Sequence, residues 1–232
     1  MDWEFIKEAL PQVLAAIPVT LEMAVIAVII GWIFGLLMAL ARRNKIPVVS
    51  QLCAIYVSFM RGVPMVILLY IAYYSIPMML YAAAGIDTSG IPAILYAIIA
   101  LSMDQCAYAS EVFRAALDAV NKGQLEAAWS IGMTTSQAMK RIIFPQALAV
   151  AMPNLTGLFT GVIKGTSLAY YVGVYEITAT ANLLANPKYN FIEAYLMTTI
   201  IYELISFICN KAFGVAEKKL GKFRPKQTQA AK

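Results

Sequence analysis

Five long apolar runs, near residues 13–40, 52–80, 92–113, 148–174 and 192–213, constrain this chain more than any other feature. A helix crossing the hydrocarbon core of a bilayer takes about 20 residues, and each of its backbone polar groups must be satisfied without water. Runs of this length are therefore expected to fold as membrane-spanning helices. Of the 232 residues, 61% are hydrophobic and 13% charged, whereas soluble domains are about half apolar and about a quarter charged. The expected fold is all-α, a single transmembrane domain over residues 1–232 with five spans and little left for a separate soluble domain.

Prolines and glycines mark the expected ends. The first span stops at Arg42-Arg43-Asn44-Lys45, and Pro47 disfavours a helical residue before it. Pro64 and Pro77 are expected to break the second span, which closes at Gly85-Ile86-Asp87-Thr88-Ser89-Gly90; Pro92 suits the first turn of the third. A polar stretch from Asn182 to Asn190 joins the fourth and fifth. Asp2 to Glu8 reads as a short amphipathic turn in the interface, its acidic start being unlike a secretory signal. Gly31 and Gly35 form a G-x-x-x-G that permits close helix contact, although such pairs are also common by chance in membrane helices, and the tyrosines around Tyr70, Tyr73 and Tyr74 read as interface belt.

With no histidine, the chain has no His metal ligand, Ser-His-Asp triad or Cys-His pair. Cys53, Cys106 and Cys209 lie far apart and read as reduced, buried thiols. The net charge of +5 is explained by topology. Arg42, Arg43, Lys45, Arg114, Lys122, Lys140, Arg141 and the basic residues from Lys211 onward fall on one face, whereas only Lys7 and Lys188 fall on the other. The positive-inside rule then puts the N-terminus outside and the C-terminus in the cytoplasm. The basic tail, about 214–232, is expected to meet anionic membrane lipid, and no nucleic-acid partner is expected.

The cytoplasmic stretch at about 115–147 is too organised for a linker. Asn121 with Gln124, and Thr134 with Gln137, have capping-box spacing, Gly132 suits a helix end, and Pro145 is expected to close the second short helix. The product is a two-helix knob with small alanines and one carboxylate, Glu126.

Glu126-Ala127-Ala128, then Gly132, then Ile142 and Phe144-Pro145 resembles the EAA loop of ABC importer permeases. Ala107 to Arg114, Phe59-Met60-Arg61-Gly62-Val63-Pro64 and Lys164-Gly165-Thr166-Ser167-Leu168 resemble the polar amino-acid branch of that family; Val63 stands where Thr is common, and Gly165 where Asp is common. The resemblance implies a type I importer permease in a bacterial inner or plasma membrane, with Glu126, Ala127, Ala128 and Gly132 transmitting motion to an ATP-binding subunit. It implies a second permease subunit, identical or similar, and an external or periplasmic solute-binding protein. No G-x-x-x-x-G-K-S/T occurs in the chain, so it is expected to be no enzyme, to hold no cofactor, and to leave ATP and magnesium to the partner ATPase.

Charges at bilayer depth are costly and should face a partner or a cavity. Asp104, Lys164, Arg61, Glu203 and Glu22 lie in spans. For an amino-acid substrate, Asp104 is expected to meet the ammonium, with Lys164, Thr166 and Ser167 near the carboxylate, and Arg61 and Glu203 along the pathway. In the alternative use of the same residues, the charges neutralise one another as structural pairs. Glu111 and Arg114, three apart, read as an intrahelical pair. Cystine or a related amino acid is the substrate the resemblance points to, with arginine, glutamine and histidine also open. An ion-coupled secondary transporter is the main rival, and a membrane enzyme using Asp104 and Glu203 is a second.

Overall fold

The computed structural model describes residues 1–223, and Arg224, Lys226 and Lys232 of the expected tail lie outside them. The elements are α1 (Trp3–Ala15), α2 (Ile17–Arg43), α3 (Val49–Gly62), α4 (Met65–Tyr70), α5 (Ile76–Ala84), α6 (Ala93–Asp118), α7 (Gly123–Ser130), α8 (Thr135–Ala138), α9 (Phe144–Gly165), α10 (Ile177–Ala185) and α11 (Phe191–Leu220). Among the described residues, five helical segments are long and apolar enough to cross a membrane: Trp3–Arg43, Met65–Ala84, Ala93–Asp118, Thr135–Val172 and Phe191–Phe223.

α6 is the central column. Its buried face, including Ala97, Ala100, Leu101, Ala107 and Ala109, receives α2 along most of its length, and α9 packs on another side. The α2 contact depends on Gly31 and Gly35. A β-carbon on Gly31 would lie 2.6 Å from Gln105 Cβ, and one on Gly35 would lie 2.9 Å from Ala109 Cβ. The sequence spacing thus marks a real helix–helix seam. Small residues let the backbones approach, and dispersion contacts replace the hydrophobic drive that lipid does not supply.

The prolines behave in two ways. Pro64 breaks the second span, since Val63 and Pro64 are both extended between α3 and α4. Pro77 and Pro145 do not break their helices, contrary to expectation. A π-helical turn, Ile71–Ser75 or Met139–Ile143, precedes each, and the proline takes the second position of the segment that follows. A proline ring clashes with the carbonyl four residues back and lacks an N–H. Widening the preceding turn removes both conflicts, so helix runs from α8 through Pro145 into α9.

Three further expectations need correction. The Asp2–Glu8 turn is the beginning of α1, a full helix that buries Phe5, Ala9 and Val13 against α10 and α11. Asp2 accepts from Phe5 N–H at 3.0 Å and from Asn190 Nδ2 at 3.0 Å, and its own N–H donates to Glu193 at 2.9 Å. Chiefly the Phe5 N–H, and then Asn190, hold its carboxyl below the usual range. The stretch before Asn190 contains α10, whose buried Ile177, Ala181 and Ala185 make it part of the core. Finally, Gly214 to Leu220 continue α11 rather than starting a tail. Cys53 and Cys106 are buried and free, while Cys209 is free and half-buried.

Candidate functional site

The break at Pro64 opens a cavity of about 530 Å³ between three elements. Arg61, Gly62, Val63, Pro64 and Met65 line it from the α3–α4 junction; Leu101, Asp104, Gln105 and Tyr108 from α6; and Gly157, Leu158, Gly161, Val162 and Gly165 from α9, with Leu168 beyond. Gly157, Gly161 and Gly165 recur every fourth residue, so they share one face of α9. A β-carbon on Gly157 or Gly161 would meet nothing within 4 Å, and one on Gly165 would only touch Leu101 at 4.0 Å. The cavity is open because these positions are glycine.

Its polar groups are few and of opposite sign. Asp104 is half-buried and has no basic group within ion-pair distance among the described residues. The Arg61 guanidinium lies 5.4 Å from the centre of the Tyr108 ring, a cation–π contact, and likewise has no carboxylate at ion-pair distance. Gln105 is buried with its side-chain oxygen unpartnered. An unneutralised carboxylate and an unneutralised guanidinium around one space are complementary in charge to a small zwitterion.

The other expected members lie elsewhere. Lys164 donates to Glu203 at 2.7 Å, facing α11 rather than Asp104. Thr166 is buried and donates to Ile163 O at 2.7 Å, and Ser167 donates to Lys164 O at 2.7 Å, so both hydroxyls satisfy local backbone. The structure therefore brings Asp104 together with Arg61, Gln105 and Tyr108, and joins Lys164 to Glu203. Glu22 is exposed on α2.

Sequence reasoning passed over Glu176, a fully buried carboxylate. It caps α10 by accepting from Ala179 N–H at 2.8 Å and takes the Tyr202 hydroxyl at 2.5 Å; that hydroxyl also lies 3.1 Å from Thr178 Oγ1. α10 in turn packs on the 3₁₀ segment Thr166–Val172, which carries Leu168 to the cavity. An acid directly before an apolar, alanine-rich run is an N-cap pattern and was the available signal.

At the far end of α6 the chain forms a second feature. Glu111 binds both Arg42 and, at 2.8 Å, Arg114, which also reaches Asp118 at 3.3 Å, so the expected intrahelical pair extends to α2. Beyond it, α7 and α8 form the two-helix knob. Thr134 and Gln137 make the expected capping box. Asn121 and Gln124 do not, because the Asn121 side chain instead accepts from Gly123 N–H at 2.8 Å. Gly132 ends α7 with φ +80°, in the left-handed region. Ala128 and Ala138 are buried where the two helices meet, whereas Glu126, Ala127, Trp129 and Ile131 are exposed. Glu126 has no ion-pair partner among the described residues.

Residues 31–222 match the family described as "Binding-protein-dependent transport system inner membrane component". Among similar proteins, the probable amino-acid permease protein YxeN of Bacillus subtilis is 41% identical over 222 residues, covering 96% of this chain and 97% of its own length. The L-cystine transport system permease protein TcyL of the same organism is 37% identical over 221 residues, 95% of this chain and 92% of its own. The crystal structure of an amino acid ABC transporter with histidines is similar with TM-score 0.81 and 28% identity, covering 94% of this chain and 99% of that one. The MetNI methionine ABC transporter, at TM-score 0.68 and 16% identity over 95% of this chain and 99% of that one, shares the fold.

Proposed function

The chain belongs to the family of inner membrane components of binding-protein-dependent transport systems, the membrane subunits of ABC importers, and from that premise we propose how its own residues carry and couple an amino acid. It is the multi-pass, inner-membrane subunit of an amino-acid importer, with the type I permease fold. Such subunits are not themselves enzymes; the family implies an ATP-binding subunit, a substrate-binding protein and a second permease. The ion-coupled carrier is not favoured.

In the proposed mechanism, Asp104 receives the α-ammonium and Arg61 receives the α-carboxylate. Lys164 and Glu203 lie along the pathway as a joined pair, while Thr166 and Ser167 hold the backbone that floors it. The observation that carries this reading is the unneutralised Asp104 and Arg61 on one cavity walled by the open glycines. Relatives named for L-cystine favour cystine or a close analogue as cargo.

The knob at 115–147, with Glu126, Ala127, Ala128 and Gly132, docks on the ATPase, which holds ATP and magnesium. The N-terminus faces outside and the knob and C-terminal tail face the cytoplasm, a placement supported by Arg42, Arg43, Arg114, Lys140 and Arg141 at the knob end of the spans. ATP closes the two ATPases, the knobs of the two permease subunits approach, and the cavity turns from the cytoplasm to the outside.

ATP hydrolysis and amino-acid uptake by the transporter, reconstituted from this chain with its ATPase and solute-binding partners, test both halves. Glu126→Lys is expected to abolish substrate stimulation. Asp104→Asn is expected to raise the amino-acid concentration needed for uptake at least tenfold, as loss of a charge-assisted bond of about 1.5–3 kcal/mol requires. Stimulation that survives Glu126→Lys would defeat the coupling assignment, and uptake indifferent to Asp104→Asn would defeat the site.

A further inference from the structure

The Lys164–Glu203 pair is placed where a merely structural ion pair is poorly placed. Both residues lie within apolar spans, yet their side chains are 51% and 64% exposed. Hydrocarbon penalises such charges, so this surface faces water or polar groups rather than lipid tails. On α9, at 100° per residue, Lys164 stands about 20° from Gly157 and about 60° from Gly161, beside the stripe that opens the Asp104–Arg61 cavity. Lys164 and Glu203 do not line the Asp104–Arg61 cavity itself, but Lys164 stands on the adjoining strip of α9, paired to Glu203 of α11.

We infer that Lys164 and Glu203 form a second amino-acid head-group site, so that the pathway accepts a ligand with two α-amino-acid heads joined by a short apolar bridge. This rests on the amino-acid reading of the first cavity. One head occupies Asp104 and Arg61, and the bridge crosses the glycine stripe, where a β-carbon on Gly157 or Gly161 would meet nothing within 4 Å. The other head inserts between Lys164 and Glu203, its carboxylate taking the lysine and its ammonium the glutamate. The exchange is balanced, because each protein charge gives up one ion-pair partner and gains another. A one-headed amino acid leaves this pair closed and gains nothing from it.

Calorimetric titration of the permease–ATPase complex in nanodiscs, without the solute-binding protein, tests the inference with L-cystine, meso-lanthionine and the one-headed S-methyl-L-cysteine. The two-headed compounds are expected to bind at least tenfold more tightly. In Lys164→Met/Glu203→Gln that preference is expected to vanish, and in Lys164→Arg to persist. Equal affinity for one and two heads in the unaltered complex overturns the inference even if the double variant does not fold, and so does a parallel loss for all three compounds in the variant. Binding of S-methyl-L-cysteine alone overturns the second site and leaves the first standing. Failure of all three compounds to bind overturns the amino-acid reading as well.

Discussion

Two glycine rows with the same four-residue spacing are put to opposite use. Gly31 and Gly35 on α2 are filled by α6, with β-carbon positions 2.6–2.9 Å from existing side-chain carbons. Gly157, Gly161 and Gly165 on α9 face space. In the first row the missing side chains admit a helix, and in the second they leave an open cavity. Identical spacing therefore does not separate a packing seam from a pathway. The neighbours do: uncharged Ser102, Gln105, Cys106 and Ala109 stand against the first row, whereas charged Arg61 and Asp104 line the space before the second.

Substitution separates the two rows. The largest effect is expected at Gly31→Leu, which must displace the α6 backbone; it should cost about 3 kcal/mol or more, read as loss of the folded chain in thermal unfolding in detergent. Retention of wild-type stability there would break the contrast. Gly161→Leu is expected to leave thermal unfolding nearly unchanged and reduce amino-acid uptake into proteoliposomes at least tenfold, since the side chain fills the cavity. If it unfolds the protein instead, the second row is a seam too. The smallest effect is expected at Gly157→Ala, where a β-carbon meets nothing and helix propensity favours alanine; stability should stay level or rise by about 0.5 kcal/mol. A clear fall would mean that this face is tightly occupied in the assembled transporter.

The sequence makes legible whatever depends on local pattern. The five spans, the Thr134–Gln137 box, the Gly132 helix end and the Gly31–Gly35 seam all follow from spacing along one helix. Membership of the charged site is less legible. Asp104 and Arg61 could each be marked as costly at bilayer depth, but the choice of Lys164 for Glu203 and of Arg61 for the Asp104 cavity depends on how α9 is rotated between α6 and α11. Lying in neighbouring spans does not bring Lys164 to Asp104, because the rotation of α9 turns it toward Glu203. Glu176 escaped for a related reason: its burial depends on α10 folding back onto α11, which a polar stretch before Asn190 did not suggest. The two π-helical turns were hidden because proline reads as a stop unless the preceding turn is free to widen.

The attachment of α1 has a consequence for the order in which the molecule is assembled. Asp2 is bound by Asn190 and Glu193, almost the whole chain away, and α1 buries its apolar face on α10 and α11. During synthesis the first helix is finished long before its partners exist. It must wait as an unpaired amphipathic segment while four further spans are inserted, because contacts at such separation form late. Its docking is thus a completion signal, and a nascent chain cut off before α11 would present α1 to quality-control proteases.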